Sequence, residues 1–357
     1  MKPSLILAAC VATAFTLAPQ GTVAQPVNQL MQQATTATTA KDFARAEQLW
    51  RRVIQQQPEN AEAYASLGDA LLNQNRAEAI DAYDRALKLN PNIPRAHNGR
   101  GFVLFFLGEY DQAIAAYERA IQLDPSQIAP YLNLSQVMAV QDKTREAVAA
   151  CRKAIQIAPR NAEAYKCLGK ALPQERSGEA IAAFRKATQL NPRDPDSYAA
   201  LGYLLRDQGK LNEAAVAYQT AIQVNSTVNP SHFLELQDVF ERQKRPEKMI
   251  PVYQAAIQRY GQKPSSYDKT LLYTQLGSAL LKQNRLAEAE TTYREAIDQE
   301  PNPSPMMAPA YNGLGLVLQR QGKLPEAIAA YRQALKLDPN LTVAAQNLAT
   351  AERQQQQ

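Results

Sequence analysis

Two stretches far apart in the chain carry nearly the same text. "GEYDQAIAAYERAIQLDP" at residues 108–125 and "GKLPEAIAAYRQALKLDP" at residues 322–339 agree at ten of eighteen positions. The alanine six residues into the pattern returns at Ala46, Ala79, Ala113, Ala147, Ala180, Ala214, Ala289 and Ala327, with Met249 in its place once. The steps between these positions are 33, 34, 34, 33, 34, 35, 40 and 38 residues. A fixed period near 34 defines a repeat array, in which each unit buries its apolar face only by stacking on its neighbours.

Each unit reads as a pair of helices. Four residues after the repeated alanine stands a medium or large side chain (Trp50, Tyr83, Tyr117, Cys151, Phe184, Tyr218, Tyr253, Tyr293, Tyr331), and three further on a small one (Ala86, Ala120, Ala154 and their counterparts). Spacings of four and three keep these positions on one helix face, with small residues where a second helix must come close. Proline follows at Pro58, Pro91, Pro125, Pro159, Pro192, Pro301 and Pro339 and stops the helix, because the residue before it is pushed out of the α region. A preceding helix carries an aromatic followed by Leu-Gly, as in "AYASLGDALL", "SYAALGYLL" and "AYNGLGLVL". Glycine inside a helix costs about 1 kcal/mol relative to alanine. Its use at Gly68, Gly101, Gly169, Gly202, Gly277 and Gly315 therefore implies close packing against the partner helix.

The pattern of aromatic, Leu-Gly, Ala, aromatic, Ala and Pro resembles the tetratricopeptide repeat (TPR). Units two, three, five, six, eight and nine meet it almost in full. Unit four has Ser135 for the glycine and Cys151 for the second aromatic. Unit one has a poor first helix, since "QQATTATTA" is rich in β-branched threonine, and unit seven has Gln237, Met249 and Gly261 where glycine, alanine and proline belong. The resemblance implies an all-α, right-handed superhelical solenoid of about nine helix-turn-helix units closed by a C-terminal capping helix.

The corresponding organisation is a signal peptide at 1–24 and units one to seven at 27–260, of which one and seven are degenerate. An insert follows at 261–269, then units eight and nine at 270–340 with a second insert at 302–307, and a capping helix with a polar tail at 341–357. Nine repeats account for nearly the whole chain and leave no room for a catalytic domain. The array as a whole resembles secreted repeat proteins of cyanobacteria, being glutamine-rich and near consensus behind a leader.

That leader, "MKPSLILAACVATAFTLAPQGTVAQP", has one lysine, an apolar run from Ser4 to Ala18, and small residues ending in "TVA". This is the three-part layout of a secretory signal peptide, with cleavage after Ala24, and it directs the protein to the periplasm or beyond. Two alternatives stay open. "LAAC" at 7–10 resembles a bacterial lipobox that would lipidate Cys10, and an uncleaved segment would act as a membrane anchor. Membrane contact is expected only in those two cases.

Composition excludes several functions. Hydrophobic residues make up 45% of the chain and charged residues 20%, so a substantial core can form. The net charge of +5 comes from 39 basic and 34 acidic residues without a basic block, which argues against nucleic acid. The two histidines, His97 and His232, fall on or beside the first-helix aromatic position, which points to packing or helix-end roles. No metal, cofactor or small-molecule substrate is expected, and no Ser-His-Asp set, phosphate loop or carboxylate pair is evident. Beyond the leader there are two cysteines, Cys151 and Cys167. Their spacing follows the repeat register, and an oxidising compartment would permit a disulfide between them.

Function then lies on a surface. In the family, positions two, five, nine, twelve and thirteen of the first helix line the concave face that holds peptides or partner helices. In this chain they give Arg95, Asn98, Phe102, Phe105 and Phe106 in unit three. Unit four supplies Leu132 and Gln136, unit five Lys166 and Lys170, and unit six Tyr203 and Arg206. An apolar patch with a basic flank suits an acidic-hydrophobic protein segment. The phenylalanines either supply that surface or fill the seam between repeats.

Two specialised subfamilies are not matched. Of the residues that clamp a peptide carboxylate in the chaperone-binding kind, only Lys166 is present, while Lys170, Ala200 and Ser231 depart from it. Of the asparagine ladder in the sugar-transferase kind, only Asn133 is present. The chain is expected to be a non-enzymatic protein-binding scaffold of the cell envelope. The alternatives are an accessory subunit of an envelope enzyme or of a polysaccharide or protein exporter, and an enzyme with a site in unit seven or its insert.

Overall fold

The computed structural model describes residues 25–74, 77–260, 266–299 and 302–357. Among these residues it contains nineteen α-helices and no strand. The leader with Cys10, the expected cleavage point at Ala24, Gly261 and Pro301 lie outside the described residues. No described helix is long and apolar enough to cross a membrane. The chain divides into two compact bodies, one ending at Pro125 and the other beginning at Ser126.

The first body contains α1 (Val27–Thr39), α2 (Phe43–Gln56), α3 (Ala61–Leu72), α4 (Ala79–Leu89), α5 (Pro94–Phe106) and α6 (Tyr110–Leu123). They pair as α1 with α2, α3 with α4 and α5 with α6, and each hairpin stacks on the next. The threonine-rich first helix forms in full as α1. The hydroxyls of Thr35, Thr36, Thr38 and Thr39 each donate to the carbonyl four residues back at 2.9 Å, so the polar groups that make threonine a weak helix former are satisfied within the helix itself. Its other face buries Leu30, Ala34 and Ala37.

The second body contains α7 (Ile128–Val140), α8 (Thr144–Ile157), α9 (Ala162–Ala171), α10 (Ser177–Leu190), α11 (Pro195–Asp207), α12 (Leu211–Val224), α13 (Pro230–Arg242), α14 (Met249–Tyr260), α15 (Ser266–Lys282), α16 (Leu286–Asp298), α17 (Ala308–Arg320), α18 (Leu324–Leu337) and α19 (Thr342–Gln356). The hairpin of unit seven is looser than the others: α13 packs mainly on α12 and α14 mainly on α15. What joins α13 to α14 includes Phe233 stacked on Tyr253, with ring centroids 5.6 Å apart. The first insert is shorter than expected, because α15 begins at Ser266 inside it. In the second insert, Pro305–Met307 forms a 3-10 turn that buries Met307. The capping helix α19 packs on α18 and buries Ala344 and Ala351, while its last residues are exposed.

The helix boundaries follow local rules. Asn60 and Asn161 cap α3 and α9, each side chain accepting from the backbone N–H three residues on at 3.0 Å. In seven of the hairpins the turn uses a single left-handed residue, supplied by Gly108, Gly209 and Gly322 in three units and by Lys41, Asp142, Lys244 and Asn284 in four others.

The glycines of "LG" serve the seam. A Cβ at Gly68 would lie 2.6 Å from the Tyr83 ring, and one at Gly99 of the next unit would run into the same ring. Tyr83 is thus a wedge between successive repeats, and Tyr293 repeats the arrangement with Gly277 and Gly313. These tyrosines and Tyr117, Tyr218, Tyr253 and Tyr331 are buried. Burial of each ring contributes on the order of 2 kcal/mol.

Candidate functional site

Residues assigned to the binding surface separate into those the fold consumes and those it leaves available. In the first body, Arg95 belongs to the former group. One terminal nitrogen meets Asp69 at 2.5 Å, and the other meets the Glu62 carboxylate at 2.8 Å, the Ser66 hydroxyl at 2.8 Å and the Glu62 carbonyl at 3.0 Å. The Tyr83 hydroxyl donates to the same Asp69 at 2.7 Å. Burial pushes the Asp69 carboxyl above the ordinary carboxylate range, an effect that Arg95 and Tyr83 only partly offset. Asn98 is half-buried.

The three phenylalanines differ in exposure. Phe106 is 69% exposed, whereas Phe102 and Phe105 are half-buried. Phe106 packs on both, with ring centroids 4.8 Å from Phe102 and 5.4 Å from Phe105, and Phe105 also meets Tyr110 at 5.9 Å.

In the second body, Leu132, Lys166 and Lys170 come together. With Gln136, Val140, Glu163 and others they line a cavity of about 560 Å³ between α7 and α9. Val140 is 49% exposed and forms its apolar rim with Leu132 and Ala139. Lys166 is held inside by Glu163 at 2.9 Å and by Asp194, the residue before α11, at 3.2 Å. Burial alone would lower the Lys166 ammonium, but its two carboxylate partners outweigh that and hold it above its ordinary value. Asp194 is held below the usual range: burial opposes this, and hydrogen bonds from Ser197 and Lys166 outweigh it. Lys170 is exposed and has no ion pair among the described residues.

Tyr203 and Arg206 lie farther along the same body. Tyr203 is 52% exposed, with the Arg206 guanidinium 5.1 Å from its ring centroid. Arg206 itself pairs with Glu235 and, at 3.4 Å, with Asp238 of the next unit. The expected basic flank is therefore corrected. Arg95, Lys166 and Arg206 are neutralised by carboxylates of their own or neighbouring repeats, which leaves Lys170 as the cation of this set without a carboxylate partner.

Positions that sequence reasoning left out also line the cavity, among them Asn133, Ser135, Ala139, Glu163 and Cys167. The period itself was the signal available: Asn133 and Cys167 are 34 residues apart and hold the same place in successive first helices. Cys151 and Cys167 form a disulfide, with Cα atoms 5.6 Å apart. His97 donates from Nε2 to the Pro91 carbonyl at 2.9 Å, just before α5, and burial lowers both His97 and His232. Among the described residues no cluster of His, Cys, Asp or Glu could hold a metal ion. Near unit seven, the cavity lined by Gln237, Glu241, Met249, Gln275 and Lys282 measures about 20 Å³, the room of a single water.

Fold and surface together define a helical repeat protein whose first helices carry the accessible cavity. Sequence models of the tetratricopeptide repeat match residues 31–79, 77–108, 94–127, 183–215 and 274–342, more than half of the chain, and the protein belongs to that family. No curated protein matches it. Among solved structures, the MamA protein is 26% identical over 47% of this chain and 92% of its own, with a TM-score of 0.40. YrrB, described as a TPR protein with an unusual peptide-binding site, is 23% identical over 53% of this chain and 96% of its own, with a TM-score of 0.42. Pseudomonas aeruginosa pilF is 20% identical over 57% of this chain and 93% of its own, with a TM-score of 0.49.

Proposed function

We propose that this protein is a non-catalytic scaffold of the cell envelope that holds an extended protein segment in the cavity between α7 and α9. The observation that carries this reading is the cavity itself, about 560 Å³ in volume, with an aliphatic rim at Leu132 and Val140 and an uncompensated ammonium at Lys170. Such a site takes one or two aliphatic side chains against the rim and one carboxylate at Lys170. Because Arg95, Lys166 and Arg206 already have carboxylate partners, a densely acidic ligand gains little more than one with a single acidic residue. An envelope location is supported by the leader pattern of residues 1–24 and by the cystine, since disulfides persist in oxidising compartments.

The binding test uses fluorescence anisotropy with fluorescein-labelled peptides that place one Glu among Leu and Val, and matched peptides with Lys in place of Glu. The Glu peptides are expected to bind in the micromolar range, and Lys170→Glu to weaken them at least tenfold. Equal binding of both peptide sets, or indifference to Lys170→Glu, overturns the site. For location, the N-terminal sequence of the protein recovered from a periplasmic fraction is expected to begin after Ala24; recovery of the intact chain in the cytosol overturns it.

A further inference from the structure

In most repeats the seam is filled by a ring. Tyr293 lies against Gly277 of its own unit and Gly313 of the next, and Phe184, Tyr218 and Tyr331 lie against Gly169, Gly202 and Gly315 of their own units. At the junction of units four and five, all three members of that arrangement change together. Cys151 stands at the ring position, Ser135 at the glycine position and Cys167 at the place that Gly313 holds for Tyr293. The two cysteines are bonded, so a covalent link joins α8 to α9 where elsewhere a ring only wedges between repeats.

We propose that this cystine is a reducible clasp that sets the geometry of the cavity beside it and makes ligand binding there depend on redox state. The inference rests on the cavity being the binding site. Cys167 and Ser135 both belong to the cavity wall, and Lys166 and Lys170 ride on α9, the helix that the bond ties down. Leu132, Gln136 and Val140 face them from α7. Once the bond is cut, the seam holds two small thiols and no ring, so nothing of tyrosine size keeps α9 in register with α8.

The two sulfurs are not equivalent. Cys151 is fully buried, whereas Cys167 is half-buried and reaches the cavity. The thiolate of an external dithiol therefore attacks the Cys167 Sγ. The S–S bond breaks, and its electron pair leaves on the Cys151 Sγ, whose neighbour, the Ser135 hydroxyl at 3.0 Å, donates a hydrogen bond to it. The second thiol of the dithiol then attacks the mixed disulfide and releases Cys167 as a thiolate. Both released thiolates take up protons, and the dithiol ends as its own disulfide.

The experiment uses full-length protein in the oxidised form and after dithiothreitol. Tryptic mapping without reductant is expected to show peptide 146–152 joined to peptide 167–170; absence of the joined pair overturns the proposal. Reduction is expected to raise hydrogen exchange across α8 and α9 and to weaken the single-Glu aliphatic peptide at least fivefold. A variant that restores the wedge, Ser135→Gly with Cys151→Tyr and Cys167→Gly, is expected to be indifferent to reductant. Exchange and binding that are unchanged on reduction overturn the clasp. Lys170→Glu separates the two readings. If it abolishes binding while reduction does not alter it, the redox inference fails and the site stands. If it leaves binding intact, the site is elsewhere and redox control of this cavity fails with it.

Discussion

The hydroxyl of Tyr83 donates a 2.7 Å hydrogen bond to Asp69, fourteen residues earlier on the partner helix of the same repeat. The ring behind that hydroxyl separates Gly68 from Gly99, and Asp69 holds Arg95 of the next unit. One side chain thus sets the hairpin angle, the spacing between repeats and the pairing of a cation that would otherwise face solvent.

Gly99→Ala sends a methyl group into the Tyr83 ring. Overpacking costs about 1–3 kcal/mol, and the better helix propensity of alanine returns about 1 kcal/mol. The difference, a net loss of up to about 2 kcal/mol, is expected in urea unfolding. Gly178, in α10 with open space around its Cβ, is the control. There the same change is expected to be neutral or stabilising by up to about 1 kcal/mol. Equal effects at the two positions would remove the wedge from the account of the seam.

The raised pKa of Asp69 gives a pH dependence with a definite sign. The folded state holds the Asp69 proton more tightly than the unfolded chain, whose value is near 3.8. The contribution is thus fully present below that value and is lost as pH rises through the elevated folded pKa. Asp69→Asn keeps an acceptor for Tyr83 but cannot ionise. Over this window the wild type is expected to lose stability relative to Asp69→Asn as pH increases. Urea titrations of both proteins at a series of pH values check it, and parallel curves would contradict it.

The two lysines of the cavity are expected to separate binding from folding. Lys166→Ala strands Asp194, which is largely shielded from solvent, and is expected to cost about 1 kcal/mol of stability. Lys170→Ala touches no ion pair and is expected to leave the urea midpoint unchanged, within about 0.5 kcal/mol, while lowering affinity for the single-Glu peptide. A stability loss at Lys170 equal to that at Lys166 would show that both are structural.

Replacing both cysteines by alanine opens a link that spans 16 residues of sequence. Constraint of a loop of that size is worth about 3 kcal/mol in the chain-entropy account. The loss is expected in urea unfolding followed by hydrogen exchange in α7 to α9, with little change in α17 to α19, because repeats couple mainly to their neighbours. A uniform loss along the second body would contradict nearest-neighbour coupling.

Much of the fold is legible in the sequence. Ala113, Tyr117, Ala120 and Pro125 spell one helix and its end through spacings that act within a few residues, and the same text repeated every 34 residues announces the stack. Even the threonine-rich opening of unit one became helix, because Thr35 and Thr39 satisfy their hydroxyls four residues back. The candidate site was legible only in its addresses. Leu132, Lys166 and Lys170 were placed by register, yet the same register counted Arg95 and Arg206 as available cations, and it is silent on what stands one repeat away in space.

The period and the alternation of small, large and glycine positions by themselves determined a tetratricopeptide array, its hairpins and its capping helix, because those are short-range properties of a helix and the seam it must fill. The stacking decided the rest. Whether a guanidinium meets a carboxylate some thirty residues away and whether two cysteines stand within bonding reach both depend on how closely neighbouring repeats approach. Coulomb attraction and packing fall off over a few ångströms, and distances of that size are set only when the units are assembled.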